Sequence, residues 1–277
     1  MTMGTQAFLA SPMTNAQISG VCVFVYHGIG LSAFQQSSPD RRYWLSSDQF
    51  REQLREIGYL GFRVIRLQDF QACVEPTKDV LKTTVLTFDD GQATDYEQVF
   101  PLLSQAGIPA DFFVSTARIG QKGYLTWTQL REMQDHGMSV HSHGHDHIDL
   151  SRISPSGLIQ QLKVSKGLLE DGLGCSVKCF AVPYGLVNRR VLEAARSVGF
   201  ETICTSRQWP AVPGDSCVNR TGVYAHTRIS EFRQLLMRRP WPYIRRSIRA
   251  ACVFLPKSVL LRVQPSRLGV LVAEEQL

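Results

Sequence analysis

The sequence predicts a parallel α/β fold, closed into a barrel in preference to an open sheet. Two observations predict it. Short apolar runs of strand length alternate with segments of helical spacing along most of the chain. Three of those runs end in clusters of polar residues, and barrel enzymes gather their chemistry at the ends of several strands.

The first strand is Val21-Cys22-Val23-Phe24-Val25-Tyr26, a continuous apolar run that suits a parallel strand covered on both faces and that ends at His27-Gly28. Residues 32–43 are polar and read as a loop. Ser46 or Ser47 can cap a helix over Asp48–Tyr59, where Phe50, Leu54 and Ile57 recur at helical spacing before Gly58 and Gly61. Arg63-Val64-Ile65 is a short strand and Leu67–Cys73 a short helix. The strand Thr83-Thr84-Val85-Leu86-Thr87-Phe88 runs into Asp89-Asp90-Gly91, and a helix over Asp95–Gln105 leads to the strand Ala110–Val114. A helix over Thr126–His136 buries Leu130 and Met133, and the strand Met138-Ser139-Val140 delivers the segment His141 to His147. A helix over 156–171, a strand Cys179–Val182, a helix Asn188–Val198 and a strand Thr202–Cys204 complete the alternation.

Composition narrows the function classes. A 277-residue chain with 44% hydrophobic residues can bury a sizeable core, which excludes wholesale disorder. No apolar run approaches the roughly 18 residues of a membrane span. The opening residues lack a basic region and an apolar core, so no secretory signal is expected and a cytoplasmic location is. Seven irregularly spaced cysteines make no disulfide framework and suit a reducing compartment. Residues 1–237 carry 22 basic and 22 acidic residues, whereas 238–277 carry 8 and 2, so the net charge of +6 resides in the tail. No nucleic-acid-binding motif is present, and nucleic acid is not expected as a partner.

Two adjacent carboxylates at a strand mouth, Asp89 and Asp90, point to opposite sides. One can hold a cation while the other faces a reacting water, although Asp-Asp-Gly also serves as a turn and helix cap. In His141-Ser142-His143-Gly144-His145-Asp146-His147, four of the seven histidines fall within seven residues, a density that points to metal binding. Spacing alone allows either His141 with His145 or His143 with His147. The strand end Pro183-Tyr184-Gly185 turns sharply and can aim a backbone N–H at the barrel mouth.

Together these motifs resemble the polysaccharide deacetylase family (carbohydrate esterase family 4, the NodB-homology domain), in its Phe-Ala-x-Pro-Tyr-Gly variant. Thr87-Phe88-Asp89-Asp90-Gly91 matches the first motif, and Ser142 through Leu150 matches the His-rich second motif, an alignment that selects His143 and His147. Val25-Tyr26-His27-Gly28, Gly107 through Val114 and Leu125-Thr126-Trp127 are similar to the same family, so the likeness spans about residues 20–236. The resemblance implies a distorted (β/α)7 barrel related to the TIM barrel. It implies a divalent metal, usually zinc, on Asp90, His143 and His147, with Asp89 as general base and the Tyr184 backbone N–H in the oxyanion hole. His226, in Tyr224-Ala225-His226, stands as candidate acid. His27, His141, His145, Trp127 and Pro183 stand as pocket candidates. Where the family's third motif carries an Arg to orient the base, this chain has Ala181, so another group must orient Asp89. The fourth motif is not recognisable near Thr205–Trp209.

The expected activity is metal-dependent removal of an N-acyl group, acetyl above all, from an amino sugar, with a small or lipid-linked sugar as substrate in envelope or capsule biosynthesis. A non-sugar amide, or a catalytically silent carbohydrate-binding relative, is the alternative. The chain divides into a loose N-terminus (1–19), a catalytic domain (20–237) and a basic amphipathic tail (238–277). Between Arg238 and Arg267 the tail has eight basic residues and no acidic one, interleaved with bulky apolar groups. Pro242 permits a helix to begin and Pro256 would break it. The expectation is peripheral contact of 238–267 with an anionic membrane at its inner face, the other reading being that the apolar face packs on the barrel.

Overall fold

The computed structural model describes residues 17–30, 39–73 and 80–254. In chain order the elements are β1 (Cys22–Tyr26), β2 (Gly28–Ile29), β3 (Trp44–Leu45), α1 (Ser47–Tyr59), β4 (Arg63–Val64), α2 (Leu67–Ala72), β5 (Thr83–Asp90), α3 (Phe100–Gln105), β6 (Asp111–Val114) and α4 (Trp127–Asp135). They continue with β7 (Ser139–Ser142), α5 (Pro155–Leu173), β8 (Cys179–Ala181), α6 (Arg189–Ser197), β9 (Thr202–Cys204), β10 (Cys217–Val218), β11 (Thr221–Gly222), α7 (Ile229–Leu236) and α8 (Pro240–Phe254).

The main sheet is parallel throughout, in the order β10-β9-β8-β7-β6-β5-β1-β11, with β4 beside the start of β5. Its two edge strands are pieces of one extended segment, separated only by Asn219 and Arg220. The first piece pairs with β9 (Cys217 opposite Ile203) and the second with β1 (Thr221 opposite Phe24). Residues 217–222 therefore join the edges, and with β1 and β5 through β9 they make the staves of a distorted (β/α)7 barrel.

Strand alternation sorts the core into two compartments. Tyr26, Phe88 and Phe112 lie in register on β1, β5 and β6 and stack at 5.2 and 4.9 Å, facing the helices. Their neighbours Val25, Thr87, Asp89 and Phe113 face the barrel interior, with Val23, Val85, Cys179, Ala181 and Cys204 beneath. The helices are stopped and started locally. Ser46 and Thr126 form reciprocal capping boxes with Gln49 and Gln129, fixing α1 and α4 on the outside of the sheet.

The structure departs from the sequence reading in three places. The helix expected over 95–105 opens as a π-helical turn, Asp95–Val99, before α3 begins. Strands β2, β3, β10 and β11 have two residues each, too few for periodicity to reveal. Over the described part of the tail, contacts cross the expected boundary at 237/238. Tyr243 is fully buried and donates to the Leu235 carbonyl at 2.7 Å, and Arg246 binds Glu231 at 3.0 Å and the Gly222 carbonyl. Arg238, also buried, donates to the Leu81 carbonyl at 2.8 Å. These groups find barrel acceptors that the sequence could not place. Residues 1–16 of the expected loose N-terminus, residues 255–277 of the tail and the break at Pro256 lie outside the described residues. No helix among the described residues is long and apolar enough to cross a membrane.

Candidate active site

The C-terminal ends of β1, β5, β7 and β8 open into a cavity of about 920 Å³ lined by His27, Asp89, Asp90, His143, His147 and Tyr184, among others. Asp89 follows the alternation of β5 and points inward. Asp90 would face the helices, but the strand ends there in a left-handed conformation (φ 79°). Its Oδ1 lies 2.9 Å from His147 Nε2 and 3.6 Å from His143 Nε2. Gly91 completes the turn: a Cβ there would meet a Val114 methyl at 2.8 Å, and its φ of 70° excludes most side chains. His147 (φ 54°) and Tyr184 (φ 59°) are also left-handed, so three of the four non-glycine residues with positive φ among those described belong to this site. Such residues cost on the order of 1–3 kcal/mol each and persist where the surroundings over-determine them.

Asp90, His143 and His147 present ligand atoms within 4.8 Å of one another, a grouping that could hold a metal ion. The residues fit a divalent cation. Buried Asp90 Oδ1 has no hydrogen-bond donor of its own, although two imidazole nitrogens face it. The His143 Nδ1 lies 2.9 Å from the Ala181 carbonyl, which accepts its N–H and leaves the Nε2 lone pair toward Asp90. Burial pushes His143 down to about 4 against the pull of Asp89 and Asp90, so the ring is neutral near pH 7. Burial also opposes the charge on Asp90, but the His147 contact and the neighbouring imidazoles of His27 and His143 hold its carboxyl well below the usual range.

Asp89 is held apart from this triad by Arg220. The guanidinium, fully buried, binds both carboxylate oxygens, at 2.6 Å to Oδ1 and 2.7 Å to Oδ2. It also donates to Thr87 Oγ1 at 3.2 Å and the Thr205 carbonyl at 3.3 Å, and lies over the Phe113 ring. Burial alone would raise the Asp89 pKa; Arg220 outweighs it and keeps the carboxyl below its ordinary value. This is the group that replaces the arginine missing at Ala181. Sequence reasoning did not find Arg220, although an arginine in the short apolar segment Cys217-Val218-Asn219-Arg220-Thr221-Gly222-Val223 was the available signal.

Five expected residues do not face the cavity. His141 is buried below it, with Nε2 2.9 Å from Asp111 Oδ1. His145 turns its Nδ1 to Thr116 Oγ1 at 2.8 Å. Trp127 lays its ring over Gly172 of α5 and joins the helix-side core. Pro183 is buried between two lining residues, Val182 and Tyr184, and packs on Gly144. His226 is exposed and stacks on Tyr224, the ring centroids 5.5 Å apart, while Tyr224 is the one that lines the cavity. Tyr184, 62% exposed, closes edge-on over the His147 ring at 4.6 Å and donates its hydroxyl to the His147 carbonyl at 3.2 Å. The His27 ring packs at a tilt against Tyr43, the centroids 4.7 Å apart, and its buried Nδ1 has no partner among the described residues.

A family model described as polysaccharide deacetylase matches residues 77–203, the stretch that contributes Asp89, Asp90, His143, His147 and Tyr184. Residues 77–203 thus resemble a polysaccharide deacetylase domain. YxkH of Bacillus subtilis (strain 168), named as a polysaccharide deacetylase, is 31% identical over 148 residues, 53% of this chain and 51% of that protein. The poly-β-1,6-N-acetyl-D-glucosamine N-deacetylase of Staphylococcus aureus (strain MRSA252) is 27% identical over 182 residues, 61% of this chain and 63% of that one. The chain thus matches between half and two thirds of the length of these curated relatives. The solved structure of IcaB from Ammonifex degensii superposes with a TM-score of 0.71 at 26% identity, covering 80% of this chain and 98% of that one.

Proposed function

We propose that the deacetylase domain hydrolyses the N-acetyl group of an amino sugar with a divalent cation, zinc, held by Asp90, His143 and His147. The observation that carries this reading is the meeting of three converging ligand atoms with a separately anchored carboxylate, Asp89, in one cavity large enough for sugar rings. The named N-deacetylase among the relatives supports the same substrate class. A cation at this place supplies a Lewis acid and a water of lowered pKa. Asp89 takes the proton of the attacking water: Arg220 uses one lone pair of each oxygen, and the other remains. The Tyr184 backbone N–H, on the tight turn after β8, donates to the developing oxyanion. Proton delivery to the leaving amine falls to His27 in place of His226. Of the seven histidines, only His27, His143 and His147 line the cavity, and the last two serve as ligands.

The rim favours an amino sugar that carries phosphate, as a lipid-linked or nucleotide-linked sugar does. Arg42 and Lys122 line the cavity with no carboxylate partner among the described residues, and Arg118 stacks on Tyr124 3.9 Å from Asp90 Oδ1. Glu97 is the one lining acid besides Asp89 and Asp90. Such a rim attracts a phosphorylated sugar and repels the amines that accumulate on a deacetylated polymer. Acetate release by the zinc-loaded protein should be measured on nucleotide-linked and lipid-linked N-acetylhexosamines and on poly-N-acetylglucosamine. The phosphorylated substrates should be turned over fastest. Faster release from the neutral polymer would overturn the substrate assignment, and no release from any sugar by metal-loaded protein would overturn the activity.

A further inference from the structure

Helix α8 is fastened to the barrel along one side only. Tyr243 and Arg246 make that side: the tyrosine hydroxyl donates to the Leu235 carbonyl and lies 3.2 Å from Cys22 Sγ, and the guanidinium reaches Glu231, Gln208 and the Gly222 carbonyl. The other side carries Trp241, Ile244 and Ile248, which are 64%, 39% and 56% exposed. Seven large hydrophobic residues are exposed among those described, and these three are the only ones that share an element. Their spacing of three and four places them in one stripe along the helix. Arg245 and Arg249 lie about 40° and 80° round the helix from Trp241, on one flank of the stripe. Arg245 reaches Glu231 at 2.9 Å, and Arg249 is exposed with no carboxylate partner among the described residues.

We infer that this face of α8 docks on an anionic lipid bilayer, with Trp241, Ile244 and Ile248 entering the headgroup boundary and Arg249 meeting lipid phosphates. Charge complementarity selects this occupant. From Arg238 to Arg267 the sequence holds eight basic residues and no acidic one, which suits a negative surface and opposes stacking against a second copy of the same basic helix. Tryptophan at the edge of the stripe is the side chain best suited to the boundary between water and hydrocarbon. The helix also adjoins the cavity. Gly222 and Gln208, which receive the Arg246 hydrogen bonds, and Tyr224, over which Arg246 lies at 5.5 Å, all line it. Docking through α8 thus holds one cavity wall beside the bilayer.

The test uses the full chain and vesicles of phosphatidylglycerol mixed with phosphatidylcholine, or of phosphatidylcholine alone. Flotation should be at least about tenfold stronger with the anionic vesicles and should weaken at high salt. The variant Trp241→Ser/Ile244→Ser/Ile248→Ser should lose about tenfold in flotation while its hydrolysis of a short soluble substrate is unchanged, since none of the three lines the cavity. Bromine-labelled anionic lipid should quench a part of the wild-type fluorescence that is missing in Trp241→Phe, a readout that does not depend on the triple variant folding. Absence of flotation at low salt, flotation unchanged by the triple substitution, or a stripe-dependent dimer that ignores vesicles would each overturn the inference.

Discussion

Two carboxylate pairs lie one above the other inside the barrel, and they look alike by every local measure. Asp89 is 3% exposed and has both oxygens bound by Arg220; Asp111 is fully buried, with one oxygen on His141 and the other accepting from the Leu67 amide at 2.8 Å. Register explains their difference. Thr87 lies opposite Asp111, so Asp89 stands two residues further along β5, about 7 Å nearer the mouth. The same step separates His141 from His143. The upper pair borders the cavity, and the lower pair plugs the barrel beneath it. Burial, pairing and a histidine neighbour therefore do not place a carboxylate in the cavity; height along the strand does.

Substitutions in the two layers should separate these roles. The largest effect is expected for Asp89→Asn and His143→Ala. The first should keep its metal and lose at least about a hundredfold in kcat, as for removal of a general base. The second should lose metal and activity together. Metal analysis beside turnover distinguishes them, and near-normal turnover in metal-loaded Asp89→Asn would assign the base elsewhere.

His27→Gln should follow, with kcat reduced about a hundredfold and metal content unchanged, while His226→Gln should stay within about twofold of wild type. The reverse result would return the acid to His226. Arg220→Gln should reduce kcat by about tenfold or more with metal retained and should lower stability by about 3–5 kcal/mol, because Asp89 is left buried without its partner. Its pH profile gives the sharper reading. Arg220 lowers the Asp89 pKa, so in wild type the deprotonated base persists to lower pH; without Arg220 the pKa rises and the acid limb of kcat/KM should move to higher pH. An unmoved limb would mean that Arg220 contributes packing alone. The smallest catalytic effect belongs to the lower layer: His141→Ala should cost stability, read as a fall in Tm, while metal content and kcat per folded molecule stay near wild type.

The sequence by itself determined the alternating parallel elements, the apolar strands, the pair Asp89-Asp90 and the histidine-rich segment from His141 to His147, because each is carried by contiguous residues or by short-range periodicity. It also showed that something other than residue 181 must orient Asp89. It could not name Arg220, because that contact spans 131 positions and depends on residues 217–222 joining the two sheet edges. Nor could it rank the histidines. His141 and His143 stand two residues apart, and their partners on other strands decide their places: His141 turns to Asp111 on β6, while the Ala181 carbonyl on β8 holds His143 toward Asp90. His145 and Trp127 turn to partners on other elements, and His226 stacks on Tyr224 outside the cavity. The basic tail divides likewise. Its charge and amphipathic spacing are legible in sequence, but which arginines meet barrel carbonyls and which face outward is decided only when α8 meets α7 and the end of β11. Local pattern fixes which side chains share a face; the partner of a buried charge is chosen by strand register and chain closure, which no local pattern encodes.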